Sequence, residues 1–296
     1  MWIPITLLAA TFQILRTARQ HELRRVLDVN QAGFVRYSFG FPLACIAGFA
    51  TFVVAGQDIP HVPWRFWPIV AGAGVAQILG TIALLTSFRL RDFAIGTVYA
   101  KSEVILVAIV SAVALGEPLA PLGWVAALVC MVGVVWLAAP QKIGDALRSA
   151  GDPAALMGVL AALGFALAAA GIRGASTSLD GGTTWDHALL TLTVMLGFQT
   201  LVNGTQLIVT SPRSVAAVGR QWRAALPVGV LSLAGSACWA VAVTLASAAK
   251  VRTLGQVELV LAFVISVVWL HEPHRRSEYA ASGLVMLGVI GVVALG

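Results

Sequence analysis

The sequence predicts an all-α integral membrane protein, with ten transmembrane helices arranged as a 5+5 inverted-topology repeat. Three observations predict it. The 296 residues are 59% hydrophobic and only 11% charged, with a mean hydropathy of +0.89, whereas soluble proteins carry about 25% charged residues. The chain divides into ten apolar segments of membrane-crossing length. A stretch of the first half returns in register 155 residues later.

The composition excludes a water-soluble enzyme, a nucleic-acid binder and a disordered chain, because too little polar surface remains to face water. The net charge of +6 and pI near 9.8 read as basic loops held at one membrane face, not as a nucleic-acid partner. Cys45, Cys130 and Cys238 lie in separate apolar runs. They read as small hydrophobes, with neither a disulfide framework nor a metal site. The start Met1-Trp2-Ile3-Pro4 lacks a basic n-region, so no cleaved signal peptide is expected. The Ala/Gly/Val-rich composition places the expected location in a bacterial inner membrane, as a multi-pass protein.

Cutting at charged and Pro/Gly-rich breaks gives spans at 2–19, 32–55, 66–88, 93–115, 119–139, 153–174, 186–209, 223–247, 249–270 and 279–295. Each is close to the ~20 residues that cross about 30 Å of hydrocarbon as a helix. Arg16 and Arg19 interrupt the first, and both can snorkel from its end. Trp2, Trp64, Trp67, Trp124, Trp136, Trp185 and Trp222 fall near segment ends, where indole favours the headgroup layer. The loops are short, so no soluble domain is expected.

The 155-residue shift places Glu103 on Glu258, Leu106 on Leu261, Ser111 on Ser266 and Leu115 on Leu270. Further on, Glu117-Pro118 falls on Glu272-Pro273, Met131 on Met286 and Gly133 on Gly288. Chance similarity among Leu/Val/Ala-rich helices does not align rare charged residues. The expected organisation is a first repeat over 1–140, a linker over 141–152 and a second repeat over 153–296. Five spans is an odd number, so the second copy enters the membrane in the opposite sense. Inverted repeats of this kind build many secondary transporters, with substrate sites near the midplane between the repeats. No Walker loop, HExxH or dinucleotide fingerprint appears, so the motifs of ATP-driven and metalloprotease chemistry are missing.

The pattern Ser102-Glu103-Val104 with Gly116-Glu117-Pro118, repeated as Val257-Glu258-Leu259 with His271-Glu272-Pro273, resembles the EamA family of the drug/metabolite transporter superfamily. Arg36, near the start of the second span, is similar to an arginine of that family. The resemblance covers essentially the whole chain and implies export or exchange of small metabolites such as amino acids, nucleosides or drug-like cations. Many members carry Pro directly after the mid-helix Glu, where this chain has Val104 and Leu259. His271 stands in place of the expected glycine, and Lys101 is foreign to the pattern.

Charge is sorted by side. Thirteen of the 19 Lys and Arg residues fall in odd-numbered loops, whereas the even loops hold only Arg65, Arg173, Lys250 and Arg252. The positive-inside rule then makes the odd loops cytoplasmic and puts both termini outside, against the family's usual arrangement.

Charges inside spans are the candidate site, since one at the bilayer centre costs roughly 2.5–3.5 kcal/mol on insertion scales. Glu103 and Glu258 read either as two pseudo-symmetric carboxylates on a translocation path, binding a cation or a proton, or as a buried hydrogen-bonded pair tying the repeats together. Lys101 diverges from Glu103 by about 200° around a helix. It is expected to pair with another helix, with Glu258 as a candidate partner. Lys250, Arg252, Arg89 and Arg91 read as interfacial. Arg36 reads as bonded to a carbonyl or carboxylate, with ligand contact as the alternative. Gln13, Gln77, Gln199, Asn203 and Gln256 are substrate contacts or interhelical glue, and Tyr99 and Trp239 form an aromatic wall or plain core. Both Glu-Pro pairs read as structural corners. The expected activity is therefore secondary transport of a small organic metabolite, proton-coupled or facilitative, without a cofactor or metal. The bilayer is a further partner and homodimerisation is compatible with the reading. A flippase for an amphipathic molecule and a membrane scaffold or enzyme are the alternatives.

Overall fold

The structure, a computed structural model, describes residues 1–23, 27, 29–90, 98–138, 151–268 and 275–296. Most of the predicted linker, Arg24, Arg25, Arg91, Thr97, Lys142, Arg148 and the corner His271-Glu272-Pro273-His274 lie outside the described residues. The described chain is almost wholly helical. Its one bridge of extended backbone joins His61 to Asp180.

Twelve α-helices are described: α1 (Trp2–Leu23), α2 (Val29–Phe49), α3 (Phe66–Leu90), α4 (Glu103–Leu115), α5 (Pro121–Ala138), α6 (Pro153–Thr177), α7 (Thr184–Thr210), α8 (Pro212–Arg220), α9 (Trp222–Leu245), α10 (Ala248–Gly255), α11 (Val257–Val268) and α12 (Arg276–Leu295). Among the described residues eight helical stretches are long and apolar enough to cross a membrane. Two of the ten predicted spans fall short of that standard. The apolar part of the first stops at Arg16. The ninth is divided at Gln256 into α10 and α11 and carries Lys250, Arg252 and Glu258.

Helix α8 occupies a stretch that the sequence places in a loop. It lies along the unit by burying Ser214 and Val218 and leaving Gly219 and Arg220 exposed. Gln31 Nε2 donates to Ser214 Oγ at 3.0 Å, fixing it to α2.

The chain forms two compact units, and each draws on both halves of the sequence. The first comprises 1–74 and 171–245, the second 75–170 and 246–296. In the first unit, α1 packs on α9, and α2 packs on α7 and α9. Tyr37, Ala44, Leu192, Leu196 and Val241 make one buried cluster; Phe66, Val70, Ala73, Ala175 and Met195 make another. Arg173 is not a loop residue. Its Nη1 donates to the carbonyls of Val243 at 2.6 Å and Thr244 at 3.3 Å. A guanidinium there satisfies orphan carbonyls at the C-terminal end of α9 and complements its dipole. Thr183 and Asp186 close the start of α7 as a reciprocal capping box.

In the second unit α5 packs along α12 with almost no side chain between them. A Cβ placed on Gly133 would lie 2.6 Å from the Val285 amide nitrogen, and one on Gly291 would lie 2.6 Å from the Ala126 Cβ. One on Gly288 would fall on the Cys130 backbone. Small residues let membrane helices approach to backbone contact, and van der Waals packing then holds them. The segments of α3 and α6 in this unit meet likewise: a Cβ on Gly164 would sit 2.7 Å from the Ala76 carbonyl oxygen.

Gly116 ends α4 in the left-handed region, at φ +67°. The Glu117 N–H donates back to the Ser111 carbonyl at 3.1 Å, a six-residue closure that favours glycine at that φ. The expected corner is present, although α5 starts at Pro121 and not at Pro118. Gly116→Ala is expected to cost about 1 kcal/mol, read as a lower midpoint in thermal unfolding of the purified protein.

Candidate ion-pair site in the second unit

The helix that the sequence runs through Lys101 is interrupted there. Residues 98–100 are helical, Lys101 and Ser102 form a turn, and α4 begins at Glu103. The Lys101 N–H donates to the Val98 carbonyl at 3.2 Å and the Val104 N–H to the Lys101 carbonyl at 3.3 Å. These are three-residue bonds, the tighter 3₁₀ pattern that often marks a hinge inside a helix. The ninth span breaks in the same way. The Gln256 N–H donates to the Thr253 carbonyl at 3.0 Å and the Leu259 N–H to the Gln256 carbonyl at 3.0 Å. The three bonded positions of one break, 98, 101 and 104, fall on 253, 256 and 259 of the other under the 155-residue shift. Neither break uses a proline, so the absence of Pro at positions 104 and 259 has not preserved a continuous helix.

The side chains at these breaks pair across them. Arg252, one turn before Gln256, directs Nε to Glu103 Oε1 at 2.7 Å, and its Nη2 also reaches that oxygen. Lys101 Nζ lies 3.6 Å from Glu258 Oε1 and donates to Gln256 Oε1 at 3.3 Å. Gln256 joins the two pairs, because its Nε2 donates to the Arg252 carbonyl at 3.3 Å. Each carboxylate thus takes its cation from the other sequence half. The side chains are largely enclosed: Glu103 is 10% exposed, Lys101 16%, Glu258 18% and Arg252 20%. Pairing removes most of the penalty that a lone charge would bear in that setting.

The predicted pairing of Lys101 with Glu258 is present. The placement of Arg252 is a correction. The sequence puts it at a helix end, where snorkelling is the default, yet it is the cation of Glu103. No local spacing signals this, because only the packing of the helices brings Arg252 to Glu103. Tyr99 sits at the break, its carbonyl accepting from Ser102 Oγ at 2.7 Å and from the Ser102 N–H at 3.1 Å. Gln77, on α3, belongs to the same unit, and its carbonyl accepts from Thr81 Oγ1 at 2.8 Å.

Two other candidates belong to the first unit. Arg36 lies over the Tyr37 ring at 5.6 Å, and Trp239 Nε1 donates to Gln13 Oε1 at 3.2 Å. Gln199 is buried there too and donates to the Gly74 carbonyl at 3.4 Å. Among the described residues no group of three or more His, Cys, Asp or Glu could hold a metal ion.

Paired charges at broken helices in a chain of apolar helices are the setting of a membrane transporter, and comparison with known proteins agrees. Residues 152–294 match the EamA-like transporter family. That match covers just under half of the chain, which over those residues is similar to the EamA family. The match and the eight long apolar helices among the described residues indicate an integral membrane protein, similar over its second half to transporters of the drug/metabolite transporter superfamily. No curated protein matches the sequence. Among solved structures 28 chains match. One crystallised protein is 18% identical and aligns over 99% of this chain and 96% of its own, with a TM-score of 0.73. At that identity the likeness speaks for the fold alone.

Proposed function

We propose that this EamA-like chain is a secondary transporter of a small organic metabolite, an exporter or exchanger working by alternating access. Its ten spans form the 5+5 inverted repeat (1–140 and 153–296), and the translocated solute or proton is bound near the midplane between the repeats. The observation that carries this reading is the pair of helix breaks 155 residues apart, with Lys101, Glu103, Arg252, Gln256 and Glu258 gathered at them. Discontinuous helices at corresponding positions of two repeats are where transporters place their binding groups, and paired charges inside a membrane mark solute or proton pathways. In this reading Glu103 and Glu258 are the symmetric carboxylates and Lys101 contributes an anion-accepting group. Tyr99 and Gln77 are candidate neutral contacts, and Arg36 and Trp239 are separate candidates within the first unit. The bilayer is the inner membrane, with both termini outside.

A thermal-stabilisation screen of the purified protein identifies the solute, and uptake into proteoliposomes then tests the carboxylates. Glu258→Gln is expected to lower pH-dependent uptake by on the order of tenfold, the factor given by about 1.4 kcal/mol of lost interaction. Unchanged uptake by well-folded Glu103→Gln and Glu258→Gln variants would sink the assignment.

A further inference from the structure

The corner between α7 and α9 gathers cations that the fold leaves unneutralised. Helices α7 and α9 are both long and apolar enough to cross a membrane, so α8, which joins them, lies at the membrane edge. Its inner side is anchored. Val218 joins a buried cluster with Ala225 and Val228 of α9 and Val35 of α2, and Ser214 accepts from Gln31. That anchoring leaves Arg220 on the outer side, and Trp222 and Arg223 are exposed beside it at the start of α9.

Among the described residues neither guanidinium meets a carboxylate. Arg220 Nε donates to the Ala216 carbonyl of its own helix at 3.4 Å. The sequence from 187 to 257 holds no Asp or Glu, so no acid from the neighbouring chain neutralises the pair. Arg223 lies over the Trp222 ring, 5.5 Å from its centroid, within the range of cation–π attraction. From that ring an apolar stripe runs into the membrane span. Trp222, Leu226 and Val230 are all exposed, and their four-residue spacing sets them along one face of α9, away from the buried Ala225 and Val228.

We propose that this corner binds an anionic phospholipid, with Arg220 and Arg223 taking the headgroup phosphate and an acyl chain lying along Trp222, Leu226 and Val230. A guanidinium fork matches phosphate oxygens in geometry as well as in charge. Two cations without a carboxylate call for net negative charge, which a phosphatidylglycerol head carries and a phosphatidylcholine head does not. The choline head would also find one face of the Trp222 ring, its aromatic seat, already covered by Arg223. Trp222 is both the platform for a guanidinium and the top of the apolar stripe, so head and chain are received by contiguous residues. The site lies in the first unit and shares no residue with the ion pairs of the second.

Photolabelling of the full chain in phosphatidylcholine nanodiscs tests this. Phosphatidylglycerol and phosphatidylcholine probes carrying the same diazirine acyl chain are added in trace amounts, and peptide mass spectrometry reads the label on residues 222–230. The phosphatidylglycerol probe is expected to label that stretch at least about fivefold more than its phosphatidylcholine twin, the preference that one basic residue gains at an anionic headgroup. Leu287 and Ile290, exposed on α12, should take both probes alike. Arg220→Gln with Arg223→Gln, both at exposed positions, should bring the two probes level at 222–230. Equal labelling by the two probes in the unsubstituted protein overturns the proposal, as does a preference that survives in the double variant or appears equally at α12. Loss of the preference on adding inorganic phosphate would make this a site for a free anion and also overturns it. Protection of 222–230 from both probes would mean that a second copy covers the face, with the same consequence. The comparison of probes needs no variant, so a poorly folding double variant leaves the test intact.

Discussion

Arg252→Met is expected to destabilise the protein by about 3–5 kcal/mol, the cost of leaving a buried carboxylate without its cation. The Glu103 side chain is 10% exposed and receives two bonds from the guanidinium, so little water is at hand to replace them. The paired variant Arg252→Met with Glu103→Gln removes both charges and should recover much of that loss, because a neutral amide is far cheaper to bury than a carboxylate. A double-mutant cycle on thermal unfolding in detergent measures the coupling. A cost below about 1 kcal/mol for Arg252→Met, the range of exposed pairs, would mean that water solvates Glu103 and the ion pair adds little.

The second large effect belongs to the α5–α12 crossing. Gly288→Val should abolish most of the folded yield, since even a Cβ at that position falls on the Cys130 backbone and no flexible side chain can yield. Overpacking a core typically costs about 1–3 kcal/mol and more where only backbone can move; valine adds two further methyl groups. Gly283→Ala, on the same helix with nothing within 4 Å of its Cβ, is the control and should leave yield and midpoint near wild type. Size-exclusion profiles of the two variants decide the matter. A monodisperse, normally melting Gly288→Val protein would show that the helices do not meet as described.

Much of this site was legible in the sequence. Glu103 and Glu258 stood out because a charge amid apolar helix demands a partner, and the 155-residue register marked them as a pair. Lys101 could be sent to Glu258 because a helix turns residues 101 and 103 apart. Arg252 was misread for the opposite reason: a long basic side chain near a span end has a cheap alternative in snorkelling, and only tertiary packing reveals that it goes inward. The helix breaks were invisible because no proline announces them. They depend on three-residue bonds at Lys101 and Gln256, which no local propensity dictates. Helix α8 was hidden by its length and its arginines, since burial of Ser214 and Val218 stabilises it more than its own composition does. Arg36 and Trp239 lie in the first unit, beside Tyr37 and Gln13.

The missing prolines also leave something behind. A helix broken by proline is broken for good, because the ring removes a donor and blocks the preceding turn. Here Val104 and Leu259 keep their amide hydrogens, now bonded to the Lys101 and Gln256 carbonyls. Moving each donor one carbonyl back, to Ala100 or Gly255, restores the ordinary α-helical ladder without a bond lost. Either bonding scheme uses the same donors, so no missing amide forbids a continuous helix at these positions. What would be a fixed elbow with proline keeps, in this chain, its full set of backbone donors.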